Sequence, residues 1–500
     1  MENRTAMRKA VLAFDLGTGG LKSSLVLESG EVLHSEFRAY ETEYPEDGMH
    51  EQSPEDWWVA LKASVKGLMS SPKASGCEVV AVSTSGHSLG VVPIDENGKL
   101  LRNAVPIWSD RRAESVAEEV FKNENEDEWY AVTGNGFPKG LYSAFKMLWF
   151  KKHEPDLYDR TSVFLGTKDF INLRLCGVAC TDYSDASGSG VFSLEDWKYD
   201  LDRAERFGLD TDKLPKIVSS DSVLGVLSPE VATELGLGSD VKVICGGVDN
   251  SCMALGARGI KSGRVYTSLG SSAWVALTSD KPVIDLEYKP YVFAHVLKGY
   301  YNSATCIFSA GTSLNWVKNL FFDDDSCVDP YREMTESAKK STLGANGVIF
   351  NPSLAGASNL EKGAEVFGSF TGLKLKHKRS DIFRATFEGI ALNLKIALDV
   401  LEQCGEDMPE MLIVGGGAKN KFWMDIFAQA YAKEVILSKI NQEATSLGAA
   451  ALAFVACGIW NGYDKIDEIC SVDSRLVPDQ ELSEAYGRVL ERFKEQQVEA

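Results

Sequence analysis

The sequence has no excess of basic residues: 52 Lys and Arg stand against 72 Asp and Glu, for a formal net charge of −20 over 500 residues. Nucleic acids and anionic membranes need a basic surface, so this charge argues against both as partners. A run of about 18 apolar residues, which a membrane span requires, is also missing. The most apolar stretch, residues 446–460, is rich in Ala and Gly and predicts a buried helix. The composition favours a soluble protein that acts on a small molecule.

Several familiar signatures are also missing. No secretory signal pattern precedes the first predicted strand, so we expect a cytoplasmic protein. The ten cysteines are scattered along the chain, and Cys176 and Cys180 have neither a second pair nor a nearby His to complete a zinc site. No G-x-x-x-x-G-K-[ST] loop and no G-x-G-x-x-G motif occurs, which argues against a Walker-type NTPase and a dinucleotide-binding domain.

The length predicts more than one domain, because a single hydrophobic core rarely serves 500 residues. Predicted strands and helices alternate, which indicates an α/β fold. A buried strand gives way to glycines at residues 245–250, and we place the boundary there, with domains at 1–246 and 247–500. In the second half, apolar residues at helical spacing predict long helices at 380–403 and 478–496.

Two similar glycine turns, each between two predicted strands, occur about 250 residues apart. Glycine permits positive φ, so the backbone N–H groups of such a turn can converge on one anion. A single turn of this kind is weak evidence, but a pair suggests a duplicated domain that holds a polyphosphate from two sides. The phosphate contacts predicted on this basis are Gly17, Thr18 and Gly19 in the first turn and Thr267, Gly270 and Ser271 in the second.

Asp15 directly precedes the first glycine turn, where a carboxylate would repel phosphate unless a divalent cation lay between them. We therefore predict that Asp15 holds Mg²⁺, which keeps several waters and binds few carboxylates. The alternative is an Asx-turn that only stabilises the hairpin. The second turn has Ser268 at the equivalent position, so only one turn would carry the ion. A phosphate contact by Lys22 stays open.

Asp249 and Asn250 follow the glycines at the predicted domain boundary. Transfer of a phosphoryl group to an alcohol needs an acceptor for the hydroxyl proton, and a carboxylate suits this role. We predict Asp249 as the general base and both residues as substrate contacts. The alternative reading of Asp249 is a helix N-cap, and the two readings are compatible.

A second set of candidate substrate contacts lies in the first half. Trp108 offers an apolar ring face to a polyol, while Asp110 and Arg112 offer hydrogen bonds to its hydroxyls. His87 ends a buried strand, at the sheet edge where ligands of α/β proteins gather. The alternatives are a helix start with surface charges for the first three and a structural role for His87.

The run Gly415, Gly416, Gly417, Ala418, Lys419 and Asn420 lies between a buried strand and a helix. Glycines there let the backbone lie flat against a planar base, and a helix N-terminus favours anions. We predict nucleotide contacts by the three glycines and Asn420.

Taken together, these segments resemble the FGGY carbohydrate kinases of the actin/hexokinase/Hsp70-like superfamily, in order along nearly the whole chain. Residues 15–18 and 267–272 resemble the two phosphate loops, 247–250 the catalytic segment, 108–112 the substrate segment and 415–423 the adenosine segment. Residues 143–150 resemble a family signature around Lys and Trp. The xylulokinase branch is the most similar in length and at residues 107–110.

The resemblance implies a two-domain, ribonuclease H-like α/β fold with a catalytic cleft between the domains. It implies ATP and Mg²⁺ as cofactors and phosphorylation of a terminal hydroxyl of a ketose or polyol. Xylulokinases usually carry Gln-Met-His after the glycine of the sugar loop, whereas here Gly86 is followed by His87, Ser88 and Leu89. Ribulose, a polyol, an aldonate or a signalling furanone therefore stay open as substrates, as do a non-catalytic nucleotide-dependent clamp and a homodimer.

Overall fold

A computed structural model describes residues 7–322, 327–356, 358, 360, 366–403, 405–438 and 443–498. The strands are β1 (Arg8–Gly17), β2 (Gly20–Leu27), β3 (Val32–Ala39), β4 (Glu51–Gln52), β5 (Cys77–Gly86), β6 (Val92–Ile94), β7 (Val105–Pro106), β8 (Val163–Leu165), β9 (Thr181–Asp182), β10 (Phe192–Ser193), β11 (Lys198–Tyr199), β12 (Ile217–Val218), β13 (Val223–Val226), β14 (Lys242–Val248), β15 (Arg264–Leu269), β16 (Ala273–Ser279), β17 (Tyr291–Ala294), β18 (Tyr301–Ile307), β19 (Ile349–Asn351), β20 (Ser369–Thr371), β21 (Glu410–Val414), β22 (Glu434–Ser438) and β23 (Val472–Leu476).

The helices are α1 (Pro54–Ser70), α2 (Glu114–Val120), α3 (Glu126–Thr133), α4 (Ser143–His153), α5 (Pro155–Arg160), α6 (Thr167–Cys176), α7 (Tyr183–Ser187), α8 (Leu201–Phe207), α9 (Pro229–Leu235), α10 (Asp249–Gly256), α11 (Gly311–Phe321), α12 (Pro330–Ala338), α13 (Arg379–Glu402), α14 (Lys421–Tyr431), α15 (Ala444–Ala456), α16 (Lys465–Ile469) and α17 (Gln480–Val498). None of the described helices is long and apolar enough to span a membrane.

The chain divides into two compact units. Unit 1 is built from Met1–Lys261, Asp280–Asn302 and Glu443–Ile469. Unit 2 is built from Ser262–Ser279, Ser303–Gln442 and Cys470–Ala500. The domain boundary between residues 246 and 247 stays a prediction, and the compact units divide the chain elsewhere: α10 belongs to unit 1, where it packs against α15.

Unit 1 is centred on a six-stranded sheet in the order β13-β14-β5-β1-β2-β3. The first hairpin is antiparallel, whereas β1, β5 and β14 run parallel to one another. Helices α1 and α6 pack against one another and against the sheet, and α15 packs against β1, β5 and β14. The apolar side chains of β1 and β5 are buried, as expected for central strands covered by helices.

Unit 2 repeats this plan. Six consecutive strands of its sheet run in the order β18-β16-β15-β21-β22-β23, with an antiparallel second hairpin and with β15, β21 and β22 parallel. The long helix α13 packs against β16, β19 and α14. Residues 380–403 and 478–496 are thus helical close to the predicted bounds, and both units have the predicted α/β character.

Candidate active site

Two carboxylates of unit 1 lie at the same edge of its sheet. Asp15 on β1 is in register with Ser85 on β5, and Ser85 is in register with Gly247 on β14, two residues before Asp249. Gly246 makes this close pairing possible, because it has a φ of 74° and a Cβ there would meet the Thr84 carbonyl oxygen at 1.8 Å. The carboxyl ends of parallel strands therefore hold both acids.

Both carboxylates are half-buried, and their pKa values are raised. Burial, followed by the Asp249 charge, raises the pKa of Asp15 to about 7, although Lys22 acts in the opposite direction. Burial raises the pKa of Asp249 to about 6, against a lowering by the N–H that Asn250 donates to it. Both pKa values therefore lie near pH 7, as expected of groups that exchange protons or bind cations.

The structural alternatives for the two acids are not observed. Among the hydrogen bonds of the described residues, none joins the Asp15 carboxylate to an amide of the hairpin, so the Asx-turn is absent. The N-cap position of α10 is Val248, and Asp249 is the first helical residue. The Oδ1 atom of Asp249 accepts a hydrogen bond from the Asn250 backbone N–H over 2.7 Å. Asn250 itself is buried, and its Oδ1 accepts from the Ser251 hydroxyl.

The first hairpin is held at its tip by three side chains. The Tyr40 hydroxyl donates to the Gly17 carbonyl over 2.5 Å, and Gln52 Nε2 donates to the Thr18 carbonyl over 2.7 Å. The Trp108 indole donates to Thr18 Oγ1 over 2.9 Å. Thr18 and Gly19 are exposed. The structure thereby brings together the predicted phosphate turn and one residue of the predicted substrate segment.

Asp110 and Arg112 form a buried ion pair. Asp110 Oδ1 accepts from Arg112 Nε over 2.8 Å, and its Oδ2 accepts from the His50 amide over 2.7 Å. Arg112 also bonds to Glu51 and lies over the ring of Trp149. Its Nη1 is the guanidinium nitrogen without a hydrogen-bond partner in the described part of the chain. Most of the capacity predicted for substrate contact is therefore used inside the protein.

His87 is nearly fully buried. Its ring lies edge-on to Trp57, and its Nδ1 is 3.1 Å from the Thr167 hydroxyl. Burial lowers its pKa to about 4, so the imidazole is neutral. A direct contact with a substrate stays a prediction.

The second hairpin meets the start of α11. The Gly311 amide donates to the Gly270 carbonyl over 3.0 Å, and the Thr312 amide donates to the Ser271 carbonyl over 3.0 Å. Thr267 is instead buried on β15, where its hydroxyl lies 3.1 Å from that of Tyr431. Of the three residues predicted in this turn, Gly270 and Ser271 lie at the surface of unit 2 and Thr267 lies in its interior.

A pocket of about 1070 Å³ opens in unit 2 beside this hairpin. Among the predicted nucleotide contacts, its lining includes Gly270, Ser271, Gly416, Gly417 and Asn420. Gly415 is not part of the lining. It has a φ of 100°, and a Cβ there would meet the Leu269 carbonyl oxygen at 2.6 Å. The two glycine segments, although about 145 residues apart in the sequence, share one cavity.

Sequence reasoning missed the contribution of α12 to the pocket and the contacts of Lys146, which it noted only as part of the signature at residues 143–150. Tyr331, Arg332 and Thr335 on α12 form another wall of the pocket, and Thr335 accepts from Asn420 Nδ2 over 2.9 Å. The Asp329-Pro330 pair marks a helix start but carries no ligand signal. Lys146 is fully buried and donates to the Ile107 carbonyl over 2.7 Å. Its position inside the apolar run 143–150 was the available signal.

Known proteins of similar sequence and fold identify the family of this chain. The chain matches the N-terminal domain model of the FGGY family of carbohydrate kinases over residues 10–256 and the C-terminal domain model over 265–457. It is 32% identical over 494 residues to a xylulose kinase of Staphylococcus epidermidis, covering 98% of this chain and 97% of that one. Crystal structures of a xylulose kinase and a gluconate kinase from Lactobacillus acidophilus, each 24% identical, superpose with TM-scores of 0.90 and 0.89 over 98% of both chains. The chain belongs to the FGGY family of carbohydrate kinases, with a two-domain fold and a xylulose kinase-like sequence.

Proposed function

We propose that this sugar kinase transfers the γ-phosphoryl group of ATP to a terminal hydroxyl of a ketose or polyol, with Asp249 as general base. The observation that carries the proposal is the pair of half-buried carboxylates, Asp15 and Asp249, at one edge of the unit 1 sheet. The two carboxylates suit different roles. Asp15, next to the phosphates, would need a cation beside it, whereas Asp249 would accept the proton of the hydroxyl.

Asp249 is suited to proton transfer. Because burial raises its pKa to about 6, it is ionised at neutral pH and still basic enough to take the proton of an attacking hydroxyl. In the proposed step the hydroxyl oxygen bonds to the γ-phosphorus, the bond from that phosphorus to the β–γ bridging oxygen breaks, and ADP leaves. The hydroxyl proton passes to Asp249.

The residues around Asp15 fit a magnesium ion that is bound mainly through water and phosphate. No group of three or more His, Cys, Asp or Glu in the described ranges forms a closed metal site, and Mg²⁺ usually takes only one or two protein carboxylates. The neighbouring Asp249 and Glu443 charges both raise the pKa of Asp15, so a cation beside it would relieve repulsion. When bound, Mg²⁺ would neutralise phosphate charge next to Asp15.

We place the nucleotide in the pocket of unit 2. The glycines at residues 416–417 offer a flat surface to a base, and Tyr331, Arg332 and Asn315 also line the cavity. The exposed turn at Gly270 and Ser271 borders the same cavity and supports a role in holding phosphates.

We place the sugar in unit 1, at Trp108 and the two residues Asp249 and Asn250. D-xylulose is the first candidate because the curated relative from Staphylococcus epidermidis is named a xylulose kinase. Leu89 keeps other substrates open. It is buried with a φ of 65°, and it places an apolar side chain where xylulokinases usually carry a histidine.

Other expectations remain part of the proposal. The net charge of −20 supports a small-molecule partner rather than nucleic acid. Residence in the cytoplasm and assembly into a homodimer stay predictions.

The test is ADP release with Mg-ATP and a panel of acceptors comprising D-xylulose, D-ribulose, gluconate, several polyols and a furanone. We expect saturable turnover with one class of acceptor, together with a new sugar-phosphate signal in the ³¹P NMR spectrum. ADP release that is equally slow with and without every acceptor would contradict the proposal and favour a nucleotide-dependent clamp.

A further inference from the structure

Trp108 makes a hydrogen bond that its role as a sugar platform does not require. Its indole N–H donates to Thr18 Oγ1 over 2.9 Å, from the substrate segment to the tip of the first glycine turn. The two residues are 90 positions apart in the sequence. Trp108 is about 37% exposed, so its ring also has a free surface for a ligand.

The main chain of Trp108 is fixed from the protein interior. The buried ammonium group of Lys146 donates to the carbonyls of Leu89 over 3.0 Å, Ile107 over 2.7 Å and Trp108 over 3.3 Å. These acceptors lie in both the sugar loop and the substrate segment. Lys146 thereby fixes the backbone of the segment that carries the indole.

The backbone of the turn is fixed independently of the indole. Gln52 donates to the Thr18 carbonyl, Trp57 in turn donates to Gln52 Oε1 over 2.9 Å, and Tyr40 donates to the Gly17 carbonyl. Removing the indole N–H therefore leaves both hydrogen bonds to the backbone of the turn, from Gln52 and from Tyr40, in place. What the indole controls is the orientation of the Thr18 hydroxyl.

The direction of this hydrogen bond follows from the donor inventory. An indole N–H can only donate, so Thr18 Oγ1 must accept from it, and the hydroxyl proton must point elsewhere. Within the described part of the chain no other group bonds to this hydroxyl. The proton remains available for an acceptor at the exposed tip.

We propose that Trp108 is a positioning residue for phosphoryl transfer, holding the Thr18 hydroxyl as a donor toward the transferred phosphate. The inference rests on the proposed kinase function. It gives Trp108 a second task, since the ring that meets the sugar also orders the phosphate turn. A bound sugar that settles the indole would thereby favour the reactive arrangement of Thr18.

The first test is a double-mutant cycle with Trp108→Phe and Thr18→Val, using the acceptor with the highest kcat/KM. Trp108→Phe keeps an aromatic face but loses the N–H, and we expect kcat to fall about tenfold, the size expected for one hydrogen bond. Thr18→Val should lower kcat at least as much, and adding Trp108→Phe to it should cost nothing further. Thr18→Ser, which retains the hydroxyl, should stay within about threefold of wild type.

A purely structural or sugar-stacking role gives a different pattern. Trp108→Phe would then raise the KM for the acceptor equally in wild type and in Thr18→Val. The effects of the two substitutions on kcat would be independent of one another. Trp316→Phe is the matched control, because Trp316 is similarly exposed, at 42%, and does not line the pocket. Multiplicative losses of kcat in the cycle, or a kcat of Trp108→Phe within twofold of wild type, would overturn the inference.

A second measurement does not need turnover. In ¹⁵N-tryptophan-labelled protein, the indole resonance that disappears in Trp108→Phe is assigned to Trp108. We expect Thr18→Val to shift this resonance, and a non-hydrolysable ATP analogue with Mg²⁺ to shift it in wild type but not in Thr18→Val. An indole resonance unchanged by Thr18→Val or by the nucleotide would overturn the inference, whereas failure of every acceptor would contradict only the proposed kinase function.

Discussion

The two halves of this molecule share a sheet plan but differ at their glycine turns. In both, the first hairpin strand pairs antiparallel with its partner and parallel with a strand from later in the chain. At the equivalent position before the turn, unit 1 has Asp15 and unit 2 has Ser268. The duplicated scaffold therefore carries an acidic edge in one unit and an uncharged one in the other.

This difference suggests a division of labour. The acidic edge of unit 1, formed by Asp15 and Asp249, suits cation and proton chemistry. The edge of unit 2 borders a pocket of about 1070 Å³ with glycines on its wall, which suits a flat ligand. Changes in unit 1 should mainly lower kcat, and changes in unit 2 should mainly weaken nucleotide binding.

The largest effect is expected from Asp249→Asn, which removes the proton acceptor while keeping the size of the side chain. Turnover should fall by about 10²- to 10⁴-fold, the range of general-base catalysis. Calorimetry should show ATP affinity within about threefold of wild type. Near-normal sugar phosphorylation would remove Asp249 from the mechanism.

The comparison between the turns is sharpened by Asp15→Asn and Ser268→Ala. We expect about a 10²-fold loss of kcat for Asp15→Asn, because the phosphate charge near it is no longer balanced through a bound cation. Ser268→Ala should stay within about threefold. In thermal unfolding, Mg²⁺ with an ATP analogue should stabilise wild type more than Asp15→Asn, and equal kcat losses in the two variants would contradict the assignment of the ion to unit 1.

Gly416→Val tests the pocket of unit 2. A Cβ at this position meets no protein atom within 4 Å, so the added side chain fills the pocket rather than disturbing the fold. The KM for ATP should rise at least about tenfold, while the KM for the acceptor changes little. Gly462→Val is the control, because Gly462 has equal space and lies outside the pocket. An unchanged KM for ATP in Gly416→Val would argue against this nucleotide site.

The smallest effect concerns stability and pH. The folded pKa of Asp15, about 7, lies above its ordinary value of 3.8, so its contribution to stability is fully present below about pH 4 and is lost as the pH rises through 7. Asn does not titrate, and Asp15→Asn should therefore gain a few degrees in Tm relative to wild type at pH 8. At pH 4.5 most of this gain should disappear. Thermal unfolding scans of both proteins in EDTA measure the difference in Tm at each pH. An equal difference at pH 8 and pH 4.5 would contradict the raised pKa of Asp15.

The acid limb of the activity profile tests the other carboxylate. Because protonated Asp249 cannot accept a proton, kcat/KM for the acceptor should fall tenfold per pH unit below about pH 6. Rates measured with saturating ATP across pH 5 to 8 provide the profile, with stability at each pH checked by recovery of activity at pH 7.5. An acid limb centred near the ordinary pKa of 3.8 would show that burial does not tune this group.

The sequence allowed the fold and the positions of both hairpins to be predicted, because strong local signals mark them. Glycine turns between buried strands located both hairpins, and apolar spacing located α13 and α17. The predicted helix at residues 446–460 corresponds to α15, which begins and ends slightly earlier. Local patterns carry this information because sheets and amphipathic helices bury one periodic face.

Other features depend on contacts between distant segments, which no local pattern reveals. The sequence does not indicate that the hydroxyl of Thr267 faces Tyr431, nor that Arg112 is bonded to both Asp110 and Glu51. The bond between Trp108 and Thr18 likewise joins segments 90 residues apart. Whether a polar residue is free for a ligand is decided by tertiary packing.

The central claim, that the nucleotide occupies unit 2 while the chemistry uses the carboxylates of unit 1, is tested most directly by photo-crosslinking with 8-azido-ATP. After proteolysis, mass spectrometry identifies the labelled peptides. We expect label on peptides that line the pocket, within residues 311–339 or 416–423, and protection by excess Mg-ATP. Protectable label confined to unit 1 peptides would contradict it.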